Sequence, residues 1–409
     1  MRILHISAAH ESTGAGYAAY NLHINLCKKG FRSDILFINS SQEHTISYET
    51  NFFRRLKRFL FTKIDRLILF FYLKKRNIYF SPGIIGLDLK KYISFASYDI
   101  VHLHWVNHGF VDVNLLTEID IPIIWTMHDF WPITGGCHYF YDCYNFKNSC
   151  GKCTILGSNR KSDFSSYSLK RKLSIYEQLK TRLTLVPISD WVRDIALSSP
   201  VAEHSPIHGV IYSGIDTVTF RFFDLSFARK ILGLQLSTFY ILLGATDLAN
   251  PAKGISYAIE ALNHIIVNKG FEFKILVFGE TNDPFFDSDL VVNLGYIKDK
   301  EKLALVYASS NLLISPSINE AFGMLMAEAQ CVGCPVVAFD DFGPRNIVNH
   351  KTTGYLSKVF DVDSLVDGIE FIYNNSFDRI QISSDSITKF NIQNSVNEYS
   401  QLYNKVLGL

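Results

Sequence analysis

The chain has 409 residues, of which 48% are hydrophobic and 19% are charged, a balance typical of a folded protein with a large core. Its length suggests two or three domains. Lys and Arg number 40 against 39 Asp and Glu, so the net charge is +1. Without a global positive charge, nucleic acid is a poor candidate for the main partner.

The first apolar run, Arg2–Ser7, is too short for a signal peptide. No stretch approaches the ~20 uninterrupted apolar residues of a membrane span. We therefore expect a cytoplasmic protein, whose seven cysteines are reduced or metal-bound rather than paired.

Short β-rich segments alternate with longer segments of helical spacing in both halves of the chain, which predicts parallel sheets covered by helices. The predicted strands are Arg2–Ser7, Ser33–Ile38, Ile100–His104, Ile121–Met127, Leu183–Pro187, Phe239–Gly244, Lys274–Phe278, Val291–Leu294, Leu312–Ser315 and Val336–Phe339. The predicted helices are Tyr17–Lys29, Ile255–Asn268 and Lys300–Ser309.

A stretch with Pro and Gly and little periodicity, residues 198–220, marks the join between the halves. We predict an α/β protein of two Rossmann-like domains, residues 1–205 and 206–385, whose parallel sheets face an interdomain cleft. A C-terminal helix in residues 386–409 is expected to pack back on the first domain. Ligands should bind at the carboxyl ends of the strands, in the cleft.

Residues 51–76 depart from this pattern, because nine Lys or Arg residues stand there against the single acid Asp65, among many Phe, Leu and Ile residues. A helix of this composition can lie on an anionic membrane with its apolar face down. The alternative is a helix packed on the core with a solvated basic face. We expect membrane contact, since the rest of the chain is neutral.

The segment from Ile314 to Val337 predicts a strand, a polar turn with Glu320, and a helix that contains Glu328. A Gly at the helix start allows a ligand to approach the backbone, and the free N–H groups of the first turn can bind a diphosphate. The two carboxylates suit the sugar and the ribose of a nucleotide sugar. The alternative is a pair of solvated surface glutamates. The expected donor-binding residues here are Phe322, Gly323, Met324, Leu325 and Glu328.

The Glu-x7-Glu frame around E-A-F-G, followed by G-C-P-V-V, resembles the donor-site signature of the retaining glycosyltransferases of family 4. Further similar motifs are Thr13–Gly16, Val210–Asp216, Lys253-Gly254, Asp340–Gly343 and Gly354–Leu356. The resemblance implies the GT-B fold, a UDP- or GDP-sugar as donor, and catalysis without a metal cofactor.

The resemblance also implies roles for individual residues. Lys253 would neutralise the leaving diphosphate, and Glu320 would hold the transferred sugar. Gly14 and Gly16 would bring backbone close to the phosphates. The family usually has an Arg where this chain has Ala245, and we interpret this loss as a trait of a subfamily. Arg345 is a substitute that we consider but do not favour, and a catalytically inactive homologue is the alternative.

Two predicted strands of the first half end in histidines, and His128-Asp129 resembles the acceptor side of the family. The resemblance makes His128 a catalytic candidate, because a neutral imidazole can orient a hydroxyl. His104 and Asp129 are the candidates for acceptor binding. The alternative for any single histidine is a packed or capping side chain, which is the interpretation that we adopt for His102.

Four cysteines fall within seventeen residues, in a loop over residues 135–155. Cys150 and Cys153 have the spacing of metal ligands, and Cys137 and Cys143 can complete a tetrahedral structural zinc site. Disulfides and free thiols are the alternatives. The surrounding W-P-I-T-G-G-C-H block resembles a subgroup of these transferases from bacterial exopolysaccharide and capsule clusters, including colanic-acid-type enzymes.

The resemblance thus implies a retaining, metal-independent hexosyltransferase of bacterial surface polysaccharide biosynthesis. Its acceptor would be a saccharide, lipid-linked since residues 51–76 suggest the inner face of the cytoplasmic membrane. A sugar-nucleotide epimerase and a non-catalytic saccharide-binding subunit are the alternatives.

Overall fold

The computed structural model describes residues 1–40, 42, 44–72, 80–268, 270–341 and 343–409. Residues 73–76 of the basic segment and Phe342 of the Asp340–Gly343 motif lie outside the described residues. The chain divides into two compact units. The first unit comprises Met1–Tyr212 and Ser395–Leu409, and the second comprises Ser213–Asn394.

The first unit is built on a parallel six-stranded sheet of order β3-β2-β1-β4-β5-β6. The strands are β1 (Arg2–Ser7), β2 (Arg32–Phe37), β3 (Thr45–Ser47), β4 (Ile100–Leu103), β5 (Ile123–Met127) and β6 (Leu183–Pro187). The helices are α1 (Gly14–Lys28), α2 (Phe52–Leu67), α3 (Phe164–Leu179) and α4 (Asp190–Leu197). Strands β4, β5 and β6 are buried along their whole length, as expected for a parallel sheet covered on both faces.

The second unit repeats this architecture with a parallel sheet of order β12-β11-β10-β7-β8-β9. The strands are β7 (Tyr240–Asp247), β8 (Lys274–Glu280), β9 (Val291–Asn293), β10 (Leu312–Ser315), β11 (Val336–Phe339) and β12 (Gly354–Ser357). The helices are α5 (Leu225–Leu232), α6 (Ile255–Asn268), α7 (Lys300–Ser309), α8 (Met324–Cys331), α9 (Val362–Asn374) and α10 (Arg379–Phe390), followed by α11 (Ile392–Leu407).

The strand order reverses once in each sheet, between β1 and β4 and between β7 and β10. Ligands of such open α/β sheets bind outside the carboxyl ends of the strands at this reversal. The predicted alternation of strands and helices is confirmed, and the loops after β1, β4, β7 and β10 become the places to look for a site.

The C-terminal residues from Ser395 onward belong to the first unit. The Tyr403 hydroxyl lies 2.7 Å from His102 Nδ1, and the Tyr399 hydroxyl lies 2.6 Å from Thr126 Oγ1. Because Thr126 also contacts His102 Nε2 at 2.7 Å, His102 is a packed histidine with both ring nitrogens engaged.

Helix α1 begins earlier than the sequence pattern predicts, at Gly14 rather than Tyr17. Thr13 is the reason, since its side chain accepts a hydrogen bond from Gly16 N and caps the first turn. A Cβ at residue 16 would lie 2.0 Å from the His10 carbonyl oxygen, whereas Gly14 has open space around it. The glycines of the Thr13–Gly16 motif therefore lie in the first turn of a helix.

Candidate active site

The structure brings Lys253 and Glu320 together in the second unit. Lys253 follows β7 and Glu320 follows β10, and Lys253 Nζ lies 2.8 Å from Glu320 Oε2. Both side chains are partly exposed, at 35% and 20%. A cation and an anion at the carboxyl ends of neighbouring strands thus form one accessible pair at the strand-order reversal.

Two backbone contacts fix this pair. Ile318 N donates a hydrogen bond to the Ala252 carbonyl over 2.8 Å, which joins the β7 loop to the β10 loop. Gly254 has a φ of +63°, and a Cβ there would lie 2.0 Å from the Pro316 carbonyl oxygen. The Gly that follows Lys253 is therefore required both by the backbone conformation and by the close approach of the two loops.

Glu328 lies in α8, with only 4% of its surface exposed. The Tyr307 hydroxyl donates to Glu328 Oε2 over 3.0 Å, and Lys300 Nζ lies 3.5 Å from Oε1. Burial raises the pKa of Glu328, whereas the positive charge of Lys300 and the Tyr307 hydrogen bond oppose that rise. Two residues of α7 that the sequence analysis did not single out therefore position this carboxylate.

The N-terminus of α8 is shaped by Gly323, which has a φ of +107° and provides no side-chain cap. Met324 and Leu325 form the first turn, whose N–H groups lack the usual intrahelical acceptors. The Phe322 side chain is buried and packs edge-on against Phe390, with ring centroids 5.6 Å apart. Phe322 therefore contributes through the core rather than through an exposed ring.

The position that the family usually gives to an Arg holds Ala245, which is buried in the core of the second unit. Arg345 pairs with Asp340, with Nε 2.6 Å from Oδ1. The guanidinium of Arg345 is thus held by a carboxylate of its own loop.

A cavity of about 1030 Å³ lies within the second unit, and its lining includes neither Lys253 nor Glu320. Its lining includes Asn250, Pro251 and Ile318, which flank the pair in the chain, and the carboxylate residues Asp247 and Glu280. A volume of this order accommodates a nucleotide-sized ligand.

The acceptor candidates lie at the carboxyl edge of the first sheet. His104 follows β4 and His128 follows β5, and His104 Nδ1 lies 3.0 Å from His128 Nε2. Burial lowers the pKa of His128 to about 4, although the Asp129 charge opposes this. His128 is therefore a neutral imidazole near pH 7.

Asp129 is buried and already engaged by groups of the first unit. Its Oδ2 accepts from Trp105 Nε1 over 2.8 Å and lies 2.6 Å from His138 Nδ1, and its Oδ1 accepts from Trp131 N over 2.8 Å. Burial raises its pKa, but these partners, His138 above all, bring the pKa below the ordinary value. The carboxylate thus organises its own loop.

The four cysteines of the 135–155 loop line one small cavity. A hydrogen bond with Cys137 lowers the pKa of Cys153 to about 7, and backbone hydrogen bonds from Leu156 and Ile155 to the Cys153 sulfur act in the same direction. Burial raises the pKa of Cys150 to about 12. A different set of side chains in the described part of the chain brings three potential metal-ligand atoms within 4.8 Å of one another. This set consists of His5, His102 and His104.

A solved structure similar to this chain is that of the Anabaena protein HepE in complex with UDP-glucose, at 14% identity and a TM-score of 0.66. The similarity covers 99% of this chain and 100% of HepE, and at this identity it shows the fold alone. Two α/β units with parallel six-stranded sheets of the same strand order define the GT-B fold of glycosyltransferases.

Residues 247–386 match the family described as "Glycosyl transferases group 1". The matched part of the chain holds Lys253, Glu320 and Glu328. Similar proteins include WcaC of Escherichia coli, named for glycosyl transfer in colanic acid biosynthesis, at 23% identity over 85% of both chains. CapM of Staphylococcus aureus, a capsular polysaccharide biosynthesis glycosyltransferase, is 26% identical over 54% of this chain and 62% of its own.

Proposed function

We propose that the protein is a retaining hexosyltransferase of surface polysaccharide biosynthesis, with a UDP- or GDP-sugar as donor and a saccharide as acceptor. The Lys253–Glu320 pair at the carboxyl ends of β7 and β10 carries this proposal. The UDP-glucose complex of HepE and the names of WcaC and CapM support the classes of donor and pathway.

The chemistry follows from the charges at the pair. The bond between the sugar C1 and the diphosphate oxygen breaks, and the acceptor oxygen forms the new bond to C1 on the same face. The acceptor proton passes to the departing phosphate oxygen, so no protein base is needed. Lys253 would stabilise the negative charge of the leaving diphosphate, and Glu320 would bind hydroxyls of the transferred sugar.

Replacement of Glu320 tests this assignment. Glu320→Gln should lower turnover by at least about 100-fold, because an interaction made in the transition state is lost. Its thermal unfolding should stay close to wild type, since the side chain is partly exposed. Glu301→Gln, at an exposed position of α7, is the matched control.

Release of UDP or GDP from a panel of sugar donors, with saccharide acceptor present, measures turnover. Wild-type turnover in Glu320→Gln would contradict the assignment. Conversion of the donor in the absence of acceptor would favour the epimerase, and a lack of affinity for every nucleotide would favour the binding subunit.

We also propose that α2 binds an anionic membrane surface, which would give the enzyme access to a lipid-linked acceptor at the inner face of the cytoplasmic membrane. The apolar side chains of α2 point outward, with Phe53 at 79%, Phe52 at 70% and Leu60 at 48% exposure. The outward face consists of Phe52, Phe53, Leu56, Phe59, Leu60, Ile64 and Leu67. No helix in the described part of the chain is long and apolar enough to cross a bilayer.

The basic side chains of α2 explain this orientation. Arg58 pairs with the buried Glu49, and Arg54 lies 4.8 Å from the centre of the Tyr92 ring. Part of the charge of the helix therefore holds it to the protein, whereas Lys63 and Arg66 stay exposed beside the apolar face. An apolar face flanked by cations suits anionic headgroups.

Cosedimentation with phosphatidylglycerol vesicles tests this surface. The double variant Phe53→Ser, Leu60→Ser should bind at least about tenfold more weakly, since each buried apolar side chain contributes roughly 1.5–3 kcal/mol. Val267→Ser, which removes an equally exposed apolar side chain from the second unit, is the control. Unchanged vesicle binding in the double variant, or concentration-dependent dimers that the variant abolishes, would contradict a membrane role.

We further propose that Cys137, Cys143, Cys150 and Cys153 bind a structural zinc ion. The four side chains line one cavity, and backbone N–H groups already point at the Cys153 sulfur, as in thiolate sites. Zinc would pin this Gly-rich loop. Protein purified under reducing conditions should contain about one zinc per chain, and Cys150→Ser should lose it; sub-stoichiometric zinc in the wild type would contradict the site.

A further inference from the structure

Three histidines from neighbouring strands of the first unit form a hydrogen-bonded chain. His5 lies in β1, and its Nδ1 lies 3.0 Å from His104 Nε2. His104 Nδ1 in turn lies 3.0 Å from His128 Nε2. His5 and His104 are buried, with 0% and 3% of their surfaces exposed, whereas His128 is partly exposed. The chain thus runs from the interior of the sheet to its carboxyl edge.

All three rings are neutral near pH 7, because burial lowers the pKa of His5 and His104 well below the ordinary value and that of His128 to about 4. A neutral imidazole has one N–H and one bare nitrogen. Each of the two contacts needs one donor and one acceptor. The three rings must therefore all carry the proton on Nδ1 or all carry it on Nε2.

The inner end of the chain decides between these two arrangements. His5 Nε2 is buried and has no hydrogen-bond partner among the described residues. With protons on Nε2, this atom would be a buried N–H without an acceptor, which is rare and costly in proteins. With protons on Nδ1, the same atom is a bare nitrogen, whose missing partner costs less.

We propose that the chain holds its protons on Nδ1, so that His5 and His104 are positioning residues that make His128 present an N–H donor. His128 then acts as a hydrogen-bond donor rather than as a base. Its ligand is an oxygen atom, in a sugar hydroxyl or a phosphate group. This ligand assignment rests on the proposed transferase function, whereas the tautomer itself does not.

Nitrogen-15 NMR of the full-length protein, labelled at histidine, tests the tautomer directly. The His128 signals are assigned from their loss in His128→Gln. We expect a protonated Nδ1 and a bare Nε2 for His128 in the wild type, whether or not the protein transfers sugar. A proton on His128 Nε2 would overturn the proposal.

The positioning role has its own readout. In His104→Phe the restraint on His128 is removed, so its signals should move toward the Nε2–H tautomer that free histidine prefers. A His128 that stays protonated on Nδ1 in a folded His104→Phe variant would refute the role of the chain. Since the tautomer is measured in the wild-type protein, misfolding of His104→Phe leaves the first test intact.

Two variants of His128 separate a donor from a base. The Asn amide nitrogen occupies the position of Nδ1, and the Gln amide nitrogen occupies that of Nε2. In a transferase assay, kcat/KM of His128→Asn should exceed that of His128→Gln about tenfold, the equivalent of one hydrogen bond. The reverse order would overturn the donor role.

A metal ion is the competing occupant of the inner cluster, because His5, His102 and His104 offer ligand atoms within 4.8 Å of one another. A metal ion there would replace the hydrogen bond between His5 and His104. Stoichiometric metal in the purified protein that His5→Phe removes would therefore overturn the proposal. We expect the metal content of His5→Phe to equal that of the wild type.

Discussion

Removal of the Tyr307 hydroxyl tests how the second unit holds Glu328 in its interior. The hydroxyl donates to Glu328 Oε2 over 3.0 Å, and Tyr307 is fully buried. A hydrogen bond to a buried charged group contributes about 1.5–3 kcal/mol. We therefore expect Tyr307→Phe to lower the free energy of unfolding by about 2 kcal/mol at pH 8, measured by urea denaturation.

The loss should depend on pH in one direction. Burial raises the pKa of Glu328, so the charged form costs stability above that pKa, and the cost disappears as the pH falls through it. Without the Tyr307 hydroxyl the pKa of Glu328 in the folded state rises further. The difference between wild type and variant should therefore be largest at pH 8 and should shrink toward pH 4.

Tyr176→Phe is the matched control, because the Tyr176 hydroxyl is equally buried and donates to the neutral Pro132 carbonyl over 2.8 Å. This variant should lose about 1 kcal/mol at every pH. Equal, pH-independent losses in both variants would refute the claim that Tyr307 stabilises a buried charge.

Two further substitutions test backbone contacts, one within each unit. Gly254→Ala should weaken nucleotide binding in titration calorimetry, because its Cβ would collide with a carbonyl of the facing loop; Gly233→Ala, also at positive φ but with open space, should bind normally. Asp65→Ala should destabilise the protein by about 2–4 kcal/mol in urea, because Asp65 accepts hydrogen bonds from three backbone N–H groups in residues 83–85. The exposed Asp142→Ala is its control, and equal stabilities would contradict the anchoring role.

The inner strands were predictable because each is a short apolar run bounded by polar or turn residues. Strands β10 (Leu312–Ser315) and β11 (Val336–Phe339) have the predicted bounds. The outer strands β3 (Thr45–Ser47) and β12 (Gly354–Ser357) were not predicted. Neither strand is buried along its whole length, so these edge strands are defined by pairing with a neighbour rather than by a pattern of their own.

The residues of the candidate site could be proposed from the sequence, but their contacts could not be predicted. Lys253 and Glu320 are 67 positions apart, and their approach depends on loops that meet only in the folded unit. Tyr307 and His5 lie among apolar residues and resemble ordinary core positions in the sequence. Their partners, Glu328 and His104, are found only once helix packing and strand register are known.

The orientation of α2 could not be predicted from the sequence either. The composition of the segment indicates an amphipathic basic helix. It does not determine whether the basic face or the apolar face packs against the rest of the first unit. Glu49 and Tyr92 lie where Arg58 and Arg54 can reach them, and Asp65 accepts hydrogen bonds from the backbone of residues 83–85. Charged side chains rather than the exposed phenylalanines therefore hold the helix to the first unit. The apolar face is left outward because the attachment uses charge and aromatic contacts.

The Lys253–Glu320 ion pair also bears on how a donor would bind. Each group compensates the charge of the other, and a partly exposed pair contributes only about 0–1 kcal/mol. A diphosphate could therefore take over Lys253, and sugar hydroxyls could take over Glu320, at little cost. The pair holds both side chains at the carboxyl ends of β7 and β10 without a strong interaction that binding would have to break.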